Sequence, residues 1–77
     1  MTFVIPIPRL LKQAKQVAET SGFENVRLVR VGPKWQASAK ISGVNDWWAT
    51  LQPTRREAIA KLISMMELRS PNGNLVN

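Results

Sequence analysis

Apolar residues follow a helical spacing in two segments of the chain, one near each end. The first segment has the spacing of one face of an amphipathic helix. Its apolar residues are Leu10, Leu11, Ala14, Val17 and Ala18. Pro8 suits the first turn of such a helix, because a proline there loses no intrahelical hydrogen bond. Gly22 supplies a left-handed stop, so the pattern predicts a helix between these two residues.

The second helical segment follows Pro53 and has a clear start. Thr54 is a favourable N-cap and Glu57 stands three residues later, which is the arrangement of a capping box. The apolar stripe behind it comprises Ala58, Ile59, Leu62, Ile63 and Met66. Because Pro71 cannot continue a helix, we expect this one to end by Arg69 or Ser70.

Three short segments with strand character lie between the helices, at residues 25–31, 35–42 and 47–51. The middle segment alternates apolar with polar residues, which is typical of an antiparallel strand with one covered face and one face in water. Trp47 and Trp48 are neighbours on the third strand and must point to opposite faces. One indole is therefore expected on the face that the helices leave open, and the pattern does not say which.

This order of elements predicts an α+β fold, a two-layer α-β-β-β-α sandwich in which both helices cover one face of a three-stranded antiparallel sheet. We expect a single domain at residues 9–69 and a flexible tail at residues 70–77. Residues 1–8 are apolar and contain two prolines, so they are expected to form an extended arm. Through Phe3 and Ile5 this arm either packs on its own domain or docks on another chain.

The charge balance bears on partners rather than on fold. The 77 residues include 11 Lys and Arg against 5 Asp and Glu, which gives a formal net charge of +6. Such a basic domain suits nucleic acid or an acidic protein surface. No segment approaches the ~20 apolar residues of a membrane span, and the N-terminal segment lacks the basic start of a signal peptide. We therefore expect a cytoplasmic protein without a membrane partner.

An enzymatic function is not expected. The chain contains no His and no Cys, and its carboxylates are scattered along the sequence rather than paired for acid–base chemistry. It also lacks a glycine-rich phosphate loop and a metal-ligand motif. We expect no catalytic residue, no cofactor and no metal.

The cations best placed to bind an anion stand at the start of the second helix. Arg55 and Arg56 occupy its first turn, where free backbone N–H groups and the helix dipole favour a phosphate. Lys34 in the turn after the first strand could reach the same backbone, and Lys12 and Lys15 could contact a minor groove. The alternative is that these are ordinary solvated surface charges.

The three tryptophans are expected to lie in different environments. Trp35 heads the apolar face of the middle strand and is expected in the core. The outward indole, Trp48 or Trp47, either stacks on an unpaired base or anchors a protein interface. Because stacking platforms usually present two or three aromatic residues and this indole stands alone, we favour protein contact.

The order of elements resembles the double-stranded RNA-binding domain over most of the chain, and two motifs carry the resemblance. These are Gly32-Pro33-Lys34-Trp35 between the first two strands and Thr54-Arg55-Arg56-Glu57-Ala58 at the last helix. That family has Gly-Pro-x-His in the turn and Ser-Lys-Lys-x-Ala-Lys at the helix, which reaches phosphates across the major groove. The resemblance implies the same fold and a phosphate-binding role for the two arginines.

The match to that family is partial. Trp35 stands where the family has His, and Ile59 takes the place of the third basic residue of the last helix. The Glu of the family's first helix has no counterpart, since Gln13 or Ala14 falls there. Several small phage and mobile-element proteins, and some toxin–antitoxin partners, look similar, since they share a strand with tryptophan followed by Thr-x-x-Glu-Ala at the start of an apolar helix.

Two functions remain at this point. The first is a nucleic-acid-binding module that contacts the phosphates of duplex RNA or DNA without sequence specificity. The second is a phage-type accessory or inhibitor protein that binds an acidic or nucleic-acid-binding protein complex of a host, such as a defence complex, through its basic face and a tryptophan. The sequence leaves the oligomeric state open, including a homodimer through an exposed sheet edge.

Overall fold

A computed structural model describes residues 5–69 of the chain. The elements, in order, are α1 (Ile7–Ser21), β1 (Phe23–Val31), β2 (Lys34–Ile41), β3 (Trp47–Gln52) and α2 (Arg55–Arg69). The strands form one antiparallel sheet in the order β1-β2-β3, and the helices pack on it and against each other. The predicted α-β-β-β-α fold is confirmed. The predicted contacts of Phe3 and the predicted tail at residues 70–77 lie outside the described residues.

The core lies between the helices and one face of the sheet. Every residue of the predicted α2 stripe is buried, and its largest fully buried side chains are Ile59, Leu62 and Met66. On the sheet side β2 contributes Ala37 and Ala39, which are small enough for the helices to approach closely. The alternation predicted for β2 is therefore confirmed, with its apolar face against the helices.

Both helix starts follow from their local sequence. Helix α1 begins at Ile7, and Pro8 fits within its first turn. The arm was predicted to include both residues, although Pro8 was also expected to suit the first helical turn, and the structure places both of them in α1. In α2 the Glu57 backbone N–H donates to Thr54 Oγ1 at 3.1 Å, and the Thr54 hydroxyl lies 3.2 Å from Glu57 Oε1. The predicted cap is confirmed, and it fixes where the first turn of α2 stands.

A β-bulge interrupts the pairing of β1 with β2. Glu24 lies opposite Lys40, whereas Arg27 lies opposite Ser38. β1 thus has one more residue than β2 over this stretch. Asn25 takes up the extra length in a left-handed conformation with φ of 57°. Asn tolerates this region better than most residues, because it has no branch at Cβ and its short side chain can bond locally.

The bulge decides which face each later side chain of β1 occupies. An inserted residue shifts the period-2 alternation by one position, so every following side chain changes face. Val26 and Leu28 consequently pack on the core. Arg27 and Val29 point to the opposite face, which we call the open face of the sheet because the helices do not cover it.

We expect Asn25→Val to destabilise the domain by about 1–2 kcal/mol, since a β-branched residue is strongly disfavoured at positive φ. Asn25→Gly is the matched control and should be neutral or slightly stabilising, because Gly adopts this conformation without strain. Urea unfolding followed by far-UV circular dichroism measures both variants. Equal losses for Val and Gly would mean that the Asn side chain, rather than the backbone conformation, supports the bulge.

Candidate nucleic-acid interface

The β1–β2 turn and the starts of both helices meet at one end of the molecule. Gln52, at the end of β3, pairs with Trp35 beside this turn, so α2 starts here. The Arg56 guanidinium donates to the backbone carbonyl of Ile5, just before α1. Both helices therefore direct their N-termini, with their partial positive charge, toward the same end.

Two guanidinium groups lie against one indole at this end. The Cζ atom of Arg30 is 5.9 Å from the Trp35 ring centroid, and that of Arg55 is 5.5 Å from it. Both distances are within the range of cation–π attraction. Trp35 is half-buried against the core, as predicted, while both arginines are exposed. Arg30 is further held by a 3.1 Å hydrogen bond from its Nε to the Gly32 carbonyl. We call these three residues, Arg30, Trp35 and Arg55, together with Lys34 beside the β1–β2 turn, the basic end.

Lys34 adds a third cation from the other side of the sheet. It stands opposite Val31 where β1 and β2 are joined by the two residues Gly32 and Pro33. Gly32 has φ of 61°, and a glycine at the first position of a two-residue hairpin loop is favoured for this reason. The Lys34 side chain is exposed, and it points to the face opposite Trp35 because successive residues alternate.

The structure separates the two arginines that the sequence paired in a phosphate clamp. Arg55 lies against Trp35, whereas the half-buried Arg56 donates to the Ile5 carbonyl. Consecutive helical residues point about 100° apart, so one side chain reaches the sheet and the other reaches the segment before α1. The position of Arg56 indicates a role in holding these two segments together.

Lys12 and Lys15 lie on α1 and are not among the residues that contact Trp35. Both are exposed on α1. Lys15 lines a shallow depression together with Phe23 and Glu24, at the opposite end of β1 from the turn. A single phosphate cannot contact both this region and Trp35, so a contact through Lys15 in addition to the basic end would need a longer stretch of backbone.

The structure decides which tryptophan is outward. Trp47 lies opposite Lys40 on the open face and is 41% exposed. Trp48 lies opposite Ala39 on the covered face, where its ring meets that of Phe23 edge-to-face, with centroids 5.4 Å apart. Trp48 is therefore corrected from an interface residue to a core-packing residue. Ile5, the other predicted interface residue in the described range, is half-buried against its own domain.

Arg30 belongs to this site but was not predicted from the sequence. Its signal lay in the hairpin: counting outward from Gly32 and Pro33, Val31 faces Lys34 and Arg30 faces Trp35. Directly opposed residues of an antiparallel pair share a face, so the contact between guanidinium and indole follows from the turn. The sequence predicted the turn but not this register.

Within residues 5–69 no three acidic, His or Cys side chains gather as metal ligands would. In the same part of the chain no helix has both the length and the apolar character to cross a membrane. Comparison with known proteins gave no match to this chain among family models, curated proteins or solved structures.

Proposed function

We propose that this protein is a small cytoplasmic nucleic-acid-binding module that contacts the phosphate backbone of duplex RNA or DNA through its basic end. The observation that carries the proposal is the pair of guanidinium groups, Arg30 and Arg55, held over Trp35 at the end of the fold where both helices begin. The phosphates of a nucleic-acid backbone passing this end would meet two planar donor groups, one phosphate for each guanidinium, near the positive ends of two helix dipoles.

The indole improves these arginines as phosphate ligands. A free arginine side chain loses rotamer freedom when it binds, and this loss lowers affinity. Stacking on Trp35 restricts the guanidinium groups before the ligand arrives, and arginine stacks on aromatic faces better than lysine does. A pre-ordered pair of this kind favours arginine over lysine at both positions.

The proposed contact is insensitive to base sequence. Phosphates position a protein on a duplex but carry no sequence information. The net charge of +6 adds long-range attraction to any polyanion and should speed association. Lys34, on the other side of the same sheet end, would neutralise a third phosphate.

The test is the salt dependence of binding to fluorescently labelled duplex RNA and duplex DNA, measured by anisotropy at roughly 50 and 200 mM salt. If three cations each neutralise one phosphate, the log–log slope on duplex DNA should be about −2.7, which weakens binding about 40-fold over this range. A protein that binds neither duplex at the lower salt does not have the proposed function.

A further inference from the structure

The open face carries a shallow depression between its two edge strands. Its floor is the polar side of β2, where Gln36 and Ser38 are half-buried. One wall is Trp47 with Ala49, and the opposite wall is Arg27 with Val29. The volume is about 330 Å³. The depression has an aromatic side, a cationic side and a hydrogen-bonding floor.

Trp47 and Arg27 are the centre of this surface. They also line a second depression of about 410 Å³, beside the bulge at Asn25. The neighbouring cation, Lys40, is held by a 2.7 Å ion pair to Glu24 and donates to the Val44 carbonyl at 2.9 Å. Arg27 forms no ion pair or side-chain hydrogen bond with any residue from 5 to 69, so it is the cation beside the indole that can meet a ligand.

The floor also offers unused polar groups. In the described part of the chain, neither the Gln36 amide nor the Ser38 hydroxyl forms a side-chain hydrogen bond. An amide and a hydroxyl together provide donors and acceptors suited to the edge of a planar heterocycle. Ser38 lies directly between Arg27 on one strand and Ala49 on the other. Gln36 lies in the same way between Val29 and Leu51.

We propose that this face binds an unpaired base of single-stranded nucleic acid. The base stacks on the Trp47 indole, its edge meets Gln36 and Ser38, and the Arg27 guanidinium contacts a flanking phosphate. None of the residues that line this site belongs to the basic end, although Lys34 stands on the same face of β2, and the inference relies on the proposed function only for the class of ligand. It would let one domain hold a duplex at one end and an adjoining single strand on its sheet.

The arrangement of apolar groups favours a base over an acidic partner protein. Within residues 5–69, the large exposed apolar side chains of this face lie on its two edge strands: Val29, Val31, Trp47 and Leu51. The outward residues of β2 that separate them are all polar: Lys34, Gln36, Ser38 and Lys40. Protein interfaces have a continuous desolvated centre, which this polar strip interrupts. The sequence favoured protein contact because the indole stands alone, and Arg27, on the opposite wall of the depression, now supplies a second group that can stack on a base and carries charge.

The test uses an unstructured single-stranded oligonucleotide of about ten nucleotides, an abasic strand of the same length, and a polyglutamate of matched charge. Quenching of tryptophan fluorescence reports stacking. We expect the oligonucleotide to quench the wild-type protein more strongly than either of the other two polyanions, because only it supplies a base. Trp47→Ala should remove this quenching and weaken single-strand binding about 10-fold, whereas Trp47→Phe should keep most of the affinity.

Leu51→Ala is the matched control, because Leu51 is an exposed apolar residue of the same strand and face that does not line the depression. It should leave single-strand affinity unchanged. Arg27→Ala should reduce the size of the salt slope by about one. All four substitutions are on the open face and away from the core, so duplex binding measured in parallel reports whether each variant is intact.

Five results overturn the inference. Equal quenching by the abasic strand shows contact with phosphates alone, and equal quenching by polyglutamate shows that the face does not distinguish a nucleic acid from an acidic polypeptide. Unchanged single-strand affinity in Trp47→Ala excludes the site. If duplex RNA or DNA binds while the single strand does not, this inference fails and the proposed function stands; if neither binds, both fail.

Discussion

Replacing both Arg30 and Arg55 by Ala should weaken duplex binding about 100-fold at roughly 50 mM salt. Each substitution removes one charge-assisted contact to a phosphate, worth about tenfold at an exposed site. The size of the log–log salt slope should also fall by about two, because two fewer counterions are released on binding. Anisotropy titrations of wild type and variant at several salt concentrations give both quantities. The double variant should remain folded, since both side chains are exposed.

The control is Lys12→Ala/Lys15→Ala, which removes the same charge from the exposed face of α1. If the basic end is the contact, this variant should lose only the long-range attraction, a few-fold in affinity with little change in slope. A loss equal to that of the arginine variant would indicate that net charge, not the geometry around Trp35, determines binding. A loss confined to duplexes long enough to reach both regions would support the minor-groove contact predicted for these lysines.

Replacing Trp35 itself would not separate these effects, because the indole also packs on the core. Arg30→Lys/Arg55→Lys is more informative. It keeps both charges but replaces planar groups that stack well with ammonium groups that stack less well. An affinity between those of the wild type and the alanine variant would show that the stacked arrangement contributes beyond charge.

The helices and the middle strand could be predicted from the sequence because each has a local cause. The Thr54–Glu57 cap and the apolar stripe behind it specify α2 without reference to any other element. The alternation of β2 likewise predicted its covered face, which the burial of Ala37 and Ala39 confirms. In these segments local preference and tertiary packing agree.

The direction of the adjacent indoles could not be predicted, because period-2 alternation says only that they differ. The register of β3 against β2 decides between them, and it places Trp48 opposite Ala39 and Trp47 opposite Lys40. Register depends on the whole sheet and on the loop of residues 42–46. Single-sequence patterns do not contain this information.

The bulge at Asn25 had the largest consequence among the features that the sequence did not reveal. Strict alternation from the buried Phe23 would have placed Arg27 on the covered face and Arg30 on the open face. The extra residue exchanges them, so that Arg30 meets Trp35 and Arg27 lies across the open-face depression from Trp47. One left-handed residue therefore determines the composition of both candidate surfaces. Apart from an Asn near the start of a strand, nothing in the sequence marks this bulge.

The second large effect is on stability, at the centre of the helix layer. Leu62 is fully buried in α2, and Leu62→Ala should cost about 3 kcal/mol, because it removes buried methyl groups and leaves a cavity. A domain of this size has a total stability of roughly 4–11 kcal/mol. The substitution should lower the melting temperature by roughly 15 °C, as measured by circular dichroism or calorimetry.

Leu68 provides the matched control on the same helix. It is 82% exposed, so Leu68→Ala makes the same chemical change without opening a cavity. Its effect should lie within about 0.5 kcal/mol of zero. Equal destabilisation by the two substitutions would mean that Leu68 is covered in solution, by another copy of the chain or by residues 70–77. A small effect of both would mean that α2 does not pack on the sheet through its Leu62 face.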